Sequence, residues 1–286
     1  MYNKTEDIFT EKKMRIAVVG LGLIGASIAR ALKKADFAVD GWNRTKTVSD
    51  FALQNGYIDG IAEDFTAYNV VFVALPPKAT IDFLTDTKFA DGAIVADICG
   101  VKEPVERAVR AKKRNYRYVG THPMAGKETS GIESSTEKLF VNANIILTEN
   151  EETDREAKQT VYDLYKSMGA GKITVCDAVY HDREIAYTSQ LAHIVSNAYI
   201  KSDAADSCSP FTGGSFQDMT RVAPLDEKIW TELFLMNREP LKDELSGLIS
   251  RLQTYLSALE KEDKEELKSL LAAGKEKYFS AIKKKK

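Results

Sequence analysis

The sequence predicts an α/β fold: an N-terminal doubly wound parallel sheet over residues 14–177, followed by an all-helical C-terminal part over residues 178–286. Three observations carry this. Apolar runs of strand length alternate with helical patterns up to about Asp177. A glycine-rich turn joins the first such run to the first helix. Beyond Asp177 only helical spacing remains, as in Leu241, Leu245, Leu248, Leu252, Leu256 and Leu259 at steps of three and four.

The first strand, 16–19, breaks at Gly20-Leu21-Gly22-Leu23-Ile24-Gly25, and helix 26–34 and a second strand, 37–42, follow. Strand, glycine turn, helix and strand are the context that a dinucleotide-binding fingerprint requires. Gly20 makes the tight turn, Gly22 lets the backbone approach a pyrophosphate, and Gly25 lets the helix lie close to the strand. The phosphates then meet the free N–H groups at the positive end of the helix. After the second strand comes Asn43-Arg44-Thr45-Lys46, without the acid that usually holds the ribose hydroxyls of NAD. Asp40 lies inside the strand, on the opposite face from Asn43 by alternation. Arg44, Thr45 and Lys46 offer a cation and donors suited to a 2′-phosphate, which favours NADP over NAD; the alternative is a solvated turn.

Strand 69–75 ends in Leu75-Pro76-Pro77, and a short helix starts near Thr80. Strand 93–98 runs into Asp97-Ile98-Cys99-Gly100-Val101-Lys102 and helix 103–113. Strand 116–120 runs into Thr121-His122-Pro123-Met124-Ala125-Gly126. Strands 144–147 and 172–175 flank helix 153–168. Ligands of such sheets bind beyond the carboxyl ends of the strands, where Pro76, Gly100 and His122 fall. Past the boundary near Asp177 the pattern predicts one long helix over 178–200, a loop over 209–214 and a helix over 225–236. Asn237 reads as the cap of a long helix, and Asp263 as the cap of a last one ending near Ile282.

The 286 residues suffice for two domains, and 44% hydrophobic with 29% charged residues is ordinary for a globular protein. A net charge of -2 gives no basic field for nucleic acid or membrane. No apolar run reaches the length of a membrane span, and no signal-peptide core precedes the first strand. Cys99, Cys176 and Cys208 lack metal or redox spacing and read as reduced thiols of a cytoplasmic protein, with no metal site. Residues 1–13 read as a polar, frayed end and Lys283 to Lys286 as a solvated basic tail.

Three side chains are candidates for chemistry. His122 follows a strand at the nicotinamide end of the sheet, and imidazole is suited to take a proton from a hydroxyl that is losing hydride. A lone histidine is more often structural, but the strand-end position favours a catalytic role. His193 shares a helix face with Ser189, Gln190, Ser196 and Asn197 on an otherwise apolar helix. That face either lines a cleft or makes satisfied polar contacts between domains. Arg221 ends Gly213-Gly214-Ser215-Phe216-Gln217-Asp218-Met219-Thr220-Arg221, placed either to clamp a substrate carboxylate or to pair with Asp218 at the surface.

Taken together, the glycine motif, His122-Pro123-Met124-Ala125-Gly126-Lys127-Glu128, His181-Asp182, His193 and Asp218-Met219-Thr220-Arg221 resemble the prephenate/arogenate dehydrogenases of tyrosine biosynthesis. The resemblance runs from about Met14 to the last helix. It implies a Rossmann domain with a helical dimerisation domain, and an oxidative decarboxylation in aromatic amino acid biosynthesis. Prephenate would give 4-hydroxyphenylpyruvate, or arogenate would give tyrosine, with hydride passing to NADP or NAD. By the resemblance His122 hydrogen-bonds the ring hydroxyl and takes its proton. Arg221 grips a carboxylate, while His193, His181, Ser189 and Trp230 belong to the substrate site. A homodimer through the helical domain is also implied. The chain departs from the family at Gly100, where the family has a serine; water or Cys99 is a candidate substitute. It has no room for the regulatory domain of some relatives, so any feedback by tyrosine acts at the active site. The rival readings are another two-domain nicotinamide enzyme, such as a β-hydroxyacid dehydrogenase or imine reductase, and a catalytically silent cofactor sensor.

Overall fold

A computed structural model describes residues 14–282; the segment 1–13 and the tail 283–286, assigned from sequence as frayed ends, lie outside the described residues. Eight strands form one sheet in the order β3-β2-β1-β4-β5-β6-β7-β8. They are β1 Ile16–Val19, β2 Val39–Trp42, β3 Gly60–Ile61, β4 Val70–Val73, β5 Ile94–Asp97, β6 Arg117–Met124, β7 Asn144–Thr148 and β8 Ile173–Cys176. Helices α1 Leu23–Lys34, α2 Lys46–Gln54, α3 Pro77–Asp86, α4 Glu103–Arg110 and α5 Arg155–Ser167 alternate with them. The strand order reverses direction between β1 and β4, which places the ligand crevice at their carboxyl ends. β1 and β4 are buried at every residue, and separate apolar clusters fill the two faces of the sheet.

Two differences from the sequence reading bear on the site. The sheet is not wholly parallel: β6 and β7 pair antiparallel, with His122 opposite Ile146. β6 also runs four residues past Gly120, to Met124. β5 ends opposite Gly120, so residues 121–124 keep β7 as their only neighbour. Pro123, which has no N–H to donate, is tolerated where one flank of the strand is open.

The chain divides into two compact units, one ending at Asn237 and the other starting at Arg238. The first holds the sheet together with α6 Ala178–Ile185, α7 Leu191–Tyr199, α8 Gly214–Thr220 and α9 Glu227–Met236. α6 and α7 are joined by a π turn, Ala186–Gln190, so the long helix predicted over 178–200 carries an internal bulge. The second unit is the helix pair α10 Arg238–Glu260 and α11 Lys264–Ala281. Asp263 caps α11 by accepting from the Glu266 N–H at 2.9 Å, as its position predicts. Asn237 immediately precedes α10, but its amide donates within the first unit, to the Asp182 carbonyl and to Gln190 Oε1. Among the described residues no helix is long and apolar enough to cross a membrane.

Candidate active site

The crevice at the β1/β4 switch is a cleft of about 490 Å³ lined by Gly20, Gly22, Asn43, Arg44, Thr45, Leu75 and Pro76, together with Trp42, Ala74, Ala79, Asp82 and Phe83. Its floor depends on glycine. Gly20 has φ +88, and a Cβ there would lie 2.2 Å from the Ala74 carbonyl oxygen; one at Gly25 would lie 1.8 Å from the Gly20 oxygen. Gly22, by contrast, opens onto free space. It is the N-cap of α1, whose first turn carries no acidic residue and has no side-chain cap. A helix start leaves its first N–H groups without intrahelical partners, which suits a pyrophosphate placed at Gly22. Leu21, Leu23, Ile24 and Gly25 do not line the cleft. Leu21 is fully buried and serves through its backbone, its N–H donating to Asn43 Oδ1 at 3.1 Å. Asn43 thus latches the glycine turn. Asp40 faces away, accepting from the Tyr68 hydroxyl at 2.8 Å and pairing with Arg15 at 3.6 Å. The end of β2 therefore offers the exposed Arg44, which makes no ion pair among the described residues, and Thr45, the uncapped N-cap of α2.

A second set of groups converges at the ends of β5 and β6. His122 is half-buried, and its Nδ1 lies 2.9 Å from His181 Nε2. The fully enclosed His181 places its Nδ1 2.7 Å from Asp182 Oδ1. Asp182 accepts the Lys102 N–H at 2.8 Å and the Glu103 N–H at 2.9 Å, at the start of α4. The Lys102 ammonium, itself wholly buried, donates to Asp97 at 2.5 Å and to the carbonyl of Thr121, the residue before His122, at 2.6 Å. Asp97 also accepts from the Tyr118 hydroxyl and the Cys99 N–H. Burial, with the adjoining His181 and the Lys102 ammonium adding to it, holds His122 well below the ordinary imidazole range, so the ring is neutral at pH 7. Its Nε2 borders Gly100: a Cβ at Gly100 would lie 3.8 Å from that nitrogen and 3.4 Å from Leu233 Cδ2.

The helices supply the opposite wall. His193 Nδ1 donates to the Ser189 carbonyl in the π turn at 2.8 Å, and its ring lies on Trp230 of α9 with centroids 4.0 Å apart. Most of the remaining polar face makes internal ties. Gln190 Nε2 donates to the Leu233 carbonyl at 3.2 Å and Asn197 Nδ2 to the Ala223 carbonyl at 3.0 Å. Arg221, just past α8, is 3.7 Å from Glu128 in the segment that follows His122, both side chains largely exposed. The partner is therefore Glu128 rather than the Asp218 weighed from sequence.

Two sequence expectations are revised. Cys99 cannot stand in for a serine at Gly100: it is buried in the core cluster that also holds Val101 and Val105, and burial pushes its thiol up to about 12. His181 has a side chain with no exposed surface, so it touches His122 and not a ligand. Sequence reading also missed Lys102, although a lysine amid the apolar run after β5 was the available signal, and Asp182, whose place beside His181 hid its contact with α4. Among the described residues no group of three or more His, Cys, Asp or Glu side chains is placed to hold a metal ion.

Residues 28–174 match the family described as prephenate dehydrogenase, nucleotide-binding domain, and residues 177–273 the family described as prephenate dehydrogenase, dimerization domain. The chain is 28% identical over 262 residues to a cyclohexadienyl dehydrogenase of Zymomonas mobilis, covering 87% of this chain and 89% of that one. It is similar in structure to prephenate dehydrogenase from A. aeolicus, solved with hydroxyphenyl propionate and NAD+ (TM-score 0.82, 25% identity, 95% and 99% of the two chains). The Synechocystis arogenate dehydrogenase superposes with a TM-score of 0.75 at 26% identity, over 94% and 100% of the chains. The sheet, the glycine turn and the strand-end histidine thus sit in a chain that belongs to the prephenate dehydrogenase family.

Proposed function

We propose that the protein is a prephenate dehydrogenase that oxidatively decarboxylates prephenate to 4-hydroxyphenylpyruvate with a nicotinamide cofactor, NADP before NAD. The observation that carries this is the strand-end His122, whose Nε2 faces Gly100, where an added Cβ would lie 3.8 Å from that nitrogen. A bound nicotinamide supplies the acceptor for the hydride of the ring carbon bearing the hydroxyl. His122 Nε2 accepts the hydroxyl proton as that carbon becomes a carbonyl carbon. The carbon–carbon bond to the ring carboxylate breaks, its electron pair enters the ring, carbon dioxide leaves, and the ring oxygen takes a proton back from His122 to give the phenol. Arg221 holds a substrate carboxylate once Glu128 is displaced, and the Trp230–His193 wall packs the side chain. Gly20, Gly22 and the first turn of α1 hold the pyrophosphate, with Leu75 and Pro76 also lining the cleft. Arg44 and Thr45 favour a 2′-phosphate, because no carboxylate at the end of β2 turns toward them.

Arogenate is the second reading, and His193 favours it. Its Nδ1 donates to the Ser189 carbonyl, which leaves Nε2 as the nitrogen that can accept, and an acceptor suits an ammonium better than a ketone. The protein acts as a homodimer in the cytoplasm. α10 leaves Ile249, Leu252, Leu256 and Leu259 between 47% and 61% exposed along one stripe, a face that a second copy covers. A two-by-two kinetic matrix of prephenate and arogenate with NADP and NAD tests the assignment. Turnover highest for prephenate with NADP is the expected result, and no reduction of either cofactor with either substrate overturns it.

A further inference from the structure

We propose that His181 and Asp182 are positioning residues for His122: the pair fixes the tautomer that leaves His122 Nε2 bare, and it shares the positive charge once that nitrogen is protonated. This rests on the reading of His122 as the proton acceptor. The two oxygens of Asp182 accept the backbone N–H groups of Lys102 and Glu103, one of them also facing His181, so the carboxylate is ionised and held in one orientation. An ionised carboxylate has no proton to give, so the hydrogen in the 2.7 Å contact belongs to His181 Nδ1. A neutral imidazole carries one N–H, which leaves His181 Nε2 bare. The 2.9 Å contact between the rings therefore runs from His122 Nδ1–H to His181 Nε2. His122 Nε2 is then bare as well, on the side that faces Gly100.

The reverse polarity requires an imidazolium at His181, a side chain with no solvent-accessible surface. When the substrate hydroxyl gives its proton to His122 Nε2, the Nδ1 proton can move to His181 Nε2. The cation then lies against the Asp182 carboxylate, and no electrons move in that step. Return of one proton to the ring oxygen of the product restores the starting state. The arrangement carries the logic of a carboxylate–imidazole pair behind a reacting group, extended by one ring.

Nitrogen-15 NMR of histidine-labelled protein reads the tautomer directly. The wild type is expected to show a protonated Nδ1 and a bare Nε2 on His122 at neutral pH. His181→Leu, which removes the acceptor, is expected to move His122 toward the Nε2–H form and to lower kcat by about tenfold or more, with cofactor affinity unchanged. His181→Gln, whose amide oxygen can accept from Nδ1–H, is expected to restore the tautomer and recover most of kcat. A bare Nδ1 on His122 in the wild type overturns the proposal, even where neither variant folds. So does a folded His181→Leu protein with unchanged tautomer and kcat. Absence of turnover by the wild type with a normal His122 tautomer would instead count against the assigned reaction.

Discussion

The two walls of the site are built on different principles. On the sheet side every polar atom behind His122 is buried and bonded: Asp182, His181, Lys102, Asp97 and Thr121 form a closed set of contacts between 2.5 and 2.9 Å. On the helical side Arg221 is 62% exposed and holds Glu128 at 3.7 Å, beyond hydrogen-bond length. A reacting proton needs an acceptor whose position and charge state are set before substrate arrives. A carboxylate clamp must instead open, exchange one anion for another and close. On the proposed reading chemistry lies with the rigid wall and selection with the loose one, so substitutions on the two sides should divide between kcat and KM.

The largest effect is expected on the rigid side. His122→Asn keeps a side chain of similar shape but removes the basic nitrogen. It should lower kcat by roughly 10²–10⁴-fold, the usual range for loss of a general base. Cofactor binding, measured by fluorescence titration, should stay within twofold, because the cleft at the β1/β4 switch does not include this residue. An equal loss in both measurements would break the comparison by making His122 structural.

Arg221→Ala should fall on the other side of the division. Loss of a charge-assisted pair to a substrate carboxylate is worth about 1.5–3 kcal/mol, or roughly 10–150-fold in affinity. The expected result is a raised KM with kcat changed by less than about threefold. Glu128 releases the guanidinium at little cost, since a pair this long and exposed contributes about 0–1 kcal/mol. A fall in kcat without change in KM would show that Arg221 acts on the transition state instead.

The rigid wall was also the less legible of the two in sequence. The strands, the glycine turn and the strand-end position of His122 follow from local pattern, because each depends on residues close in the chain. Asp182 and its contacts do not: its partners at Lys102 and Glu103 are 80 and 79 positions away, and only folding brings α6 against the start of α4. The same limit explains Glu128 as the partner of Arg221, where sequence spacing offered only Asp218. The extension of β6 through Pro123 was hidden because proline reads as a strand breaker, unless it is known that β5 has already ended. Cys99 beside Gly100 seemed a possible donor in one dimension and is a core residue in three.

The pH profile sharpens the comparison with a smaller effect. His122 is depressed first by burial and then by the adjoining His181 and Lys102. As a base it works when neutral, so kcat/KM should hold level through pH 7 and fall only below the ordinary imidazole value of about 6.5. The sign for stability is the same. Unfolded chain takes up a proton at this histidine near pH 6.5 while the folded form does not, so folding loses stability as pH falls from there toward the depressed value. Denaturant midpoints measured from pH 7.5 to 5.5 should decline in step. An acid limb of kcat/KM lying above 6.5 would mean that the wall does not hold its histidine neutral.

Gly100→Ser is the smallest change and the finest probe of how the walls meet. A Cβ at this position would meet Leu233 Cδ2 at 3.4 Å and His122 Nε2 at 3.8 Å, both ordinary contacts, so serine should fold without displacing the backbone. Gly100 has no positive φ to preserve. The added hydroxyl would stand between the sheet-side imidazole and the helix that carries Trp230, where it can share a hydrogen bond with the ring hydroxyl of the substrate. One neutral hydrogen bond is worth about 0.5–1.5 kcal/mol, so kcat/KM should change by less than roughly tenfold. The direction tells which wall limits the rate. A rise means that the sheet side lacked a donor for the hydroxyl, whereas a fall means that the hydroxyl occupies His122 Nε2 in the resting enzyme and competes with substrate for its lone pair.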